Sequence, residues 1–214
     1  MSDELTKQCV KELTDYLGSL QPQYSWTNEH RIEVGRAYTQ IDIFGRERHM
    51  TAGEQIILIQ FEMHRGHPGD NAVKAMELLA GNARLSDKRA LILHVFSPWY
   101  EAPIVPQVAG GTTPRNAEME LQREAWDRTV RRASARQSWH EEKVRLKYAA
   151  STGWPNCQCR TYRVVEWDVQ DAKLRSAIMD LSLSNQKQIQ LEMAKLAGQI
   201  SNEISQWLSK LGHQ

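Results

Sequence analysis

The fold of this chain is decided by residues 54–64, EQIILIQFEMH, a tract whose centre is a run of large apolar residues. Such a run, bounded by short polar segments, is typical of a strand in the middle of a sheet. Side chains along a strand alternate between its two faces, so Gln60, Glu62 and His64 share one face. A central strand must satisfy polar groups of this kind, which makes this face the first candidate for a functional site.

The segments on either side of this tract predict the rest of the core. Residues 30–35 (HRIEVG) and 37–45 (AYTQIDIFG) are predicted strands with short polar linkers, which indicates an antiparallel meander. Residues 71–81 (NAVKAMELLAG) have helical periodicity after Asp70, a good N-cap. Residues 89–98 (RALILHVFSP) predict a strand covered on both faces, and a helical crossover makes it parallel to the strand at 55–64. With an amphipathic helix over 4–20, the predicted order is αβββαβ.

Beyond the core, residues 97–114 hold four of the seven prolines and predict a long loop. A helix is expected over about 115–137, a strand over 161–169 and helical structure from 171 to 212. From Ile189 to Leu211 the apolar positions repeat every three or four residues, close to a heptad seam. We therefore expect an α/β domain over 1–170 and a C-terminal helical segment over 171–214. This segment either packs back on its own sheet, forms a homodimer or binds a partner protein.

The composition excludes several classes of protein. Of the 214 residues, 41% are hydrophobic and 25% charged, which fits one folded domain or one domain with a small appendage. Lys plus Arg (27) nearly balance Asp plus Glu (26), so nucleic-acid binding has to come from local basic clusters. The N-terminus lacks the features of a signal peptide, and the longest apolar runs are far shorter than the ~20 residues of a membrane-spanning helix. Three cysteines, an odd number, indicate reduced thiols and a cytoplasmic location.

A candidate metal site follows from the pairing of the predicted strands. Asp42 alternates with Ile41 and Ile43, so pairing of its strand with the tract at 54–64 brings it alongside Gln60 and Glu62. Two carboxylates and an amide oxygen are hard ligands of the kind that Mg²⁺ prefers. The alternative is that these residues form the solvated face of an ordinary antiparallel sheet.

These segments together resemble the core of the PD-(D/E)XK superfamily, the restriction endonuclease-like nucleases. The resemblance rests on EVGRAYTQIDIFG, ILIQFEM, a helix and ALILHVFSP, and covers about 70 of the 214 residues. It implies an α/β fold with a mixed sheet, and a site where an Asp on one strand and an acidic residue and a Lys on the next bind Mg²⁺ or Mn²⁺ and activate water for phosphodiester cleavage.

Carried over by position, the family motif implies a role for each matching residue of this chain. Asp42 matches the family Asp, Gln60 the acidic position and Glu62 the Lys, while Glu33 resembles an additional acidic ligand of some members. Gln60 replaces a carboxylate with a neutral amide, which weakens the attraction for a divalent ion. Lys74, one turn into the following predicted helix, is the candidate for a migrated catalytic lysine, or else an exposed helix lysine.

A basic segment is the candidate surface for nucleic acid. The stretch from residue 128 to residue 147 contains seven basic residues and only two acidic ones, both glutamates. Such an excess favours contacts with phosphates, although a helix covered by salt bridges would have the same composition. The candidate contacts are Arg128, Arg131, Arg132, Arg136, Lys143 and Arg145.

Two functions from different classes are consistent with these patterns. The first is a metal-dependent endonuclease that acts on DNA, with Asp42 and Glu62 as metal ligands, Gln60 as a neutral ligand and Lys74 stabilising the developing charge. The second is a protein that keeps the nuclease fold without the chemistry and serves as a nucleic-acid-binding or assembly subunit. A third reading is a structural protein whose C-terminal helix recruits a partner.

Overall fold

The computed structural model describes residues 4–48, 54–63, 75, 79, 81–82, 84–85, 88–98, 160–179 and 186–211. Within these ranges the elements in chain order are α1 (Glu4–Leu20), β1 (Tyr24–Val34), β2 (Ala37–Glu47), β3 (Gln55–Glu62), β4 (Arg89–Phe96), β5 (Arg160–Glu166), α2 (Ala172–Met179) and α3 (Gln186–Leu211). Between β3 and β4, residues 75, 79 and 81 are helical. The chain is therefore a mixed α/β protein, as the sequence predicted.

The five strands form one sheet in the order β1-β2-β3-β4-β5. The first three pair in antiparallel fashion, which confirms the predicted meander. β3 and β4 are parallel, and so are β4 and β5. Parallel neighbours need a crossover connection, which explains why the chain returns through helical residues before β4. The sheet is mixed, with its antiparallel and parallel halves meeting at β3.

The first strand is longer than the sequence indicates. β1 begins at Tyr24, six residues before the expected start at 30, because the polar stretch around Trp26 pairs fully with the far half of β2. Gly45 lies opposite Trp26 in this register. A Cβ on Gly45 would come within 2.6 Å of the indole ring, so the absence of a side chain there is what lets the two strands close.

Hydrophobic residues fill the space on both faces of the sheet. On one face a large cluster joins the sheet to α1, α2 and α3, with Leu13, Ile57 and Leu174 fully buried. On the other face Leu58 and Ile92 pack with the helical residues Ala75 and Leu79 in a second cluster. Helices therefore cover both faces, and the central strands β3 and β4 are buried along nearly their whole length because they have no solvated side.

The heptad-like stripe of α3 is buried within the chain's own core. Ile189, Met193, Leu196, Ile200, Ile204 and Trp207 are each at most 2% exposed in a single chain. The helix packs against α1 and belongs to the same cluster as the sheet. The stripe thus packs against other parts of the same chain. The homodimer stays a prediction, and its interface would have to be formed by other residues of the C-terminal segment. No helix in the described part of the chain is long and apolar enough to cross a membrane.

Candidate functional site

The candidate site lies where β2 and β3 separate. The last backbone pair between these strands joins Ile43 to Ile59. Beyond it, the side chain of Asp42 bonds across the gap, and its Oδ2 accepts a hydrogen bond of 2.7 Å from the backbone N–H of Phe61. The side chain of Gln60 does the reverse, because its Nε2 donates to the carbonyl oxygen of Gln40 at 3.1 Å. Two side chains therefore replace backbone groups in the ladder, with Asp42 and Gln60 each bonded to the backbone of the opposite strand.

The backbone is irregular at this point. Strict alternation predicts that Ile41 and Ile43 bury on the same face, but they lie in opposite core clusters. The change of face coincides with Glu29 on the adjacent strand, which has φ 53° and stands across from Asp42 where the β1–β2 register lacks a pair. A non-glycine residue in this left-handed region costs of order 1–3 kcal/mol and persists only when its surroundings impose it. The simple alternation argument for Asp42 was therefore wrong in detail, since the side chain bridges the strands.

Gln60 has one side-chain atom without a partner. The residue is 1% exposed, and its Oε1 makes no hydrogen bond within the part of the chain that the structure describes. Its amide orientation is set by the bond from Nε2, which points the oxygen the other way. A buried acceptor left unsatisfied costs about 1–3 kcal/mol. Such an oxygen is suited to a ligand, an ion or a water molecule.

Glu62 belongs to a buried polar chain that the sequence analysis missed. Its Oε1 lies 3.2 Å from Nε2 of His94, and Nδ1 of His94 lies 2.9 Å from the hydroxyl of Tyr162. Glu62 and His94 are at most 1% exposed. The tautomer of His94 decides which of its two ring nitrogens donates in these contacts. These hydrogen-bond contacts of His94 with Glu62 and Tyr162 hold the Glu62 carboxylate in a fixed orientation.

A signal for His94 was present in the sequence. It is the one ionisable residue in the apolar run of residues 90–96, ALILHVF. In the parallel register it stands beside Gln60, and side chains at paired positions of adjacent strands share a face. Tyr162 has no comparable signal, because the partner of β4 on its far side could not be identified from periodicity alone.

The donor set at this place suits a divalent cation only if the amide takes part. Among the described residues, no three side chains of the His, Cys, Asp or Glu type converge on a point that could hold a metal ion. Asp42, Glu62 and Gln60 carry oxygen donors on the adjacent strands β2 and β3, and the Gln60 oxygen is buried without a partner among the described residues. Oxygen ligands of this mixed kind match the preference of Mg²⁺.

Glu33 lies away from this cluster. It sits near the β1–β2 turn, paired in register with Tyr38, and its half-exposed carboxylate forms an ion pair with Arg31. Along β1 it is four residues from Glu29, the position across from Asp42, which is about 13 Å at roughly 3.3 Å per residue. The structure does not bring Glu33 to the other proposed ligands.

The remaining predicted site residues lie outside the described residues. They are His64, Lys74, Arg128, Arg131, Arg132, Arg136, Lys143 and Arg145. Their roles stay predictions.

Comparison of the chain with protein-family models, with curated proteins and with solved structures gives no match.

Proposed function

We propose that this protein is a metal-dependent nuclease with a PD-(D/E)XK-like core that cleaves phosphodiester bonds in DNA in the cytoplasm. The observation that carries the proposal is that Asp42 and Gln60 both bond across the gap where β2 and β3 separate, with the amide oxygen of Gln60 buried and unpartnered among the described residues. Strained backbone, here at Glu29, is concentrated at functional sites.

The order of elements supports the same proposal. A helix, three antiparallel strands, helical residues and a parallel strand follow one another along the chain, in a mixed sheet of consecutive strand order. This order resembles the αβββαβ order of the family core. Asp42 and the Gln60–Glu62 pair occupy the strands on which that family carries its motif.

The roles of the residues follow from their contacts. Asp42, Glu62 and the amide of Gln60 would hold Mg²⁺ or Mn²⁺, and a bound divalent ion would supply Lewis-acid stabilisation of the phosphate charge. His94 contacts both Glu62 and Tyr162 and so orients the Glu62 carboxylate. Lys74 is the proposed stabiliser of developing charge. The basic residues from Arg128 to Arg145 are the proposed contacts to the DNA backbone.

A second candidate function is favoured by one specific observation. The Asp42 carboxylate already accepts a backbone hydrogen bond, and Glu62 is held by His94 in the core. Both carboxylates therefore contribute to the sheet itself. A protein of this kind could keep the fold and bind nucleic acid, or assemble with a partner, without cleaving it.

Metal-dependent cleavage of plasmid DNA, single-stranded DNA and RNA separates the two functions. We choose Asp42→Asn because the amide oxygen can still accept from Phe61, whereas alanine would also remove that hydrogen bond. The matched control is Asp15→Asn, which neutralises an exposed carboxylate on α1. The nuclease proposal predicts cleavage and a rise in melting temperature with Mg²⁺ or Mn²⁺, both lost in Asp42→Asn and retained in the control.

Two outcomes would contradict the nuclease proposal or its assignment of Asp42. If the wild-type chain binds DNA but neither cleaves it nor gains thermal stability from either metal ion, the nuclease mechanism is wrong and the non-catalytic function stands. Cleavage that persists in Asp42→Asn would remove this residue from the site.

A further inference from the structure

A second polar site lies beside β1 and β2 and is lined by residues other than Asp42, Gln60 and Glu62. It is an open pocket of about 390 Å³, and its apolar floor is formed by Ile32 and Phe44. Small-molecule sites have volumes of about 300–1,000 Å³, so the pocket has room for one nucleotide-sized group.

Two of the three arginines that line this pocket are held by carboxylates. Arg46 donates to Glu54, which is 1% exposed and also lies 3.4 Å from the ammonium group of Lys88. Arg31 forms an ion pair with Glu33. Among the described residues, these ion pairs join three cations to two carboxylates. About half of each arginine side chain is exposed, and a guanidinium has five N–H donors.

The third arginine is not neutralised. Arg84 is exposed, and no carboxylate pairs with its side chain in the part of the chain that the structure describes. Its turn is tied to the sheet, since its backbone N–H donates to Asn82 Oδ1 at 2.9 Å and Asn82 Nδ2 donates to the carbonyl of Glu33 at 3.0 Å. Arg84 therefore adds a positive charge to the lining of the pocket.

Uncharged groups complete the lining. The ring of His30 stacks on Phe44 with centroids 4.0 Å apart and planes 12° from parallel. The pKa of His30 is lowered, first by burial and then by the positive charge of Arg46, so its imidazole is neutral at neutral pH. Ser25 and Thr27 line the same pocket with hydroxyl groups. The pocket therefore combines guanidinium groups, an aromatic surface and small side chains that can form hydrogen bonds.

We propose that this pocket binds the phosphate of a nucleotide unit, either a free mononucleotide or one residue of a nucleic-acid strand. Guanidinium groups match phosphate oxygens in geometry and form charge-assisted hydrogen bonds with them. An aromatic wall next to cationic groups is the arrangement on which bases stack in single-strand binding sites. Such binding needs no metal ion and does not depend on cleavage.

The test measures binding to the full chain in EDTA by calorimetric titration. The probes are thymidine monophosphate, thymidine and a short oligothymidylate. Thymidine monophosphate should bind at least about tenfold more tightly than thymidine, because only the phosphate engages the arginines. Arg84→Gln should remove most of this preference. Arg36→Gln is the matched control, since this arginine lies exposed in the β1–β2 turn outside the pocket and its loss should change affinity by less than about twofold.

The oligothymidylate identifies the source of the phosphate. Tighter binding than the mononucleotide, with a salt dependence that weakens in Arg84→Gln, assigns the site to a nucleic-acid strand. Equal binding assigns it to a free mononucleotide.

An independent readout is the imidazole of His30, followed by NMR. A bound phosphate brings negative charge among Arg31, Arg46 and Arg84, so it should raise the His30 pKa toward its ordinary value. The inference is overturned if thymidine monophosphate binds no better than thymidine, or if Arg84→Gln binds as Arg36→Gln does. Because EDTA removes metal-dependent cleavage, this result is separate from the outcome for Asp42→Asn.

Discussion

Replacement of Ile200 by alanine should lower the free energy of unfolding by about 2–5 kcal/mol. Ile200 is fully buried on the inner face of α3, in the cluster that joins this helix to α1 and the sheet. The substitution removes three carbon groups from the core, a loss of roughly 2.4 kcal/mol at about 0.8 kcal/mol each. The cavity that remains adds to this loss because the surrounding side chains relax only partly. For a chain of this size the melting temperature should fall by roughly 5–20 °C.

Urea denaturation followed by circular dichroism measures this change, with Leu191→Ala as the control. Leu191 lies on the same helix but is 65% exposed, so its replacement should change the free energy of unfolding by less than about 0.5 kcal/mol. Equal effects of the two substitutions would refute the burial of α3 in its own core. Light scattering adds a second criterion, since a wild-type dimer that Ile200→Glu converts to a folded monomer would show that this stripe is an interface between chains.

Two further predictions concern β2 and its neighbours. Gly45→Ala should destabilise the chain by about 1–3 kcal/mol in the same assay, because the new methyl group meets the ring of Trp26; Gly198→Ala, with no neighbouring atom within 4 Å of the added Cβ on α3, should be neutral or stabilising, and equal destabilisation by both would contradict the packing. The hydrogen bond from Arg46 holds the pKa of Glu54 below its usual value. The stability that this pair gives to the folded state is therefore present above the unfolded pKa of about 4.5 and is lost as the pH falls through the folded pKa. Glu54→Gln should therefore flatten the acid limb of the stability curve, and an unchanged limb would show that the pair contributes nothing.

Periodicity in the sequence predicts some features of the candidate site and not others. The alternation of residues 54–64 correctly placed Gln60 and Glu62 on one face, and the short connections correctly predicted an antiparallel neighbour carrying Asp42. Neither pattern could reveal that Asp42 hydrogen-bonds across the gap between the strands, because that contact lies beside a backbone irregularity at Glu29 that has no sequence signature. The meeting of Glu62 and His94, 32 positions apart, depends on the parallel register.

The sequence by itself determined the local elements of this protein, because the periods of strands and helices are properties of short segments. It therefore predicted α1, all five strands and the helical character of the C-terminal region, with errors at the ends that are largest for β1, which begins six residues earlier than expected. Only the tertiary structure decided what each apolar surface packs against. The stripe on α3 suits a second chain as well as the chain's own sheet, and the choice depends on α1 and β3 being close enough to bury it. Register and burial are set by contacts between distant residues, so they follow from the packing of the whole core and not from any one segment.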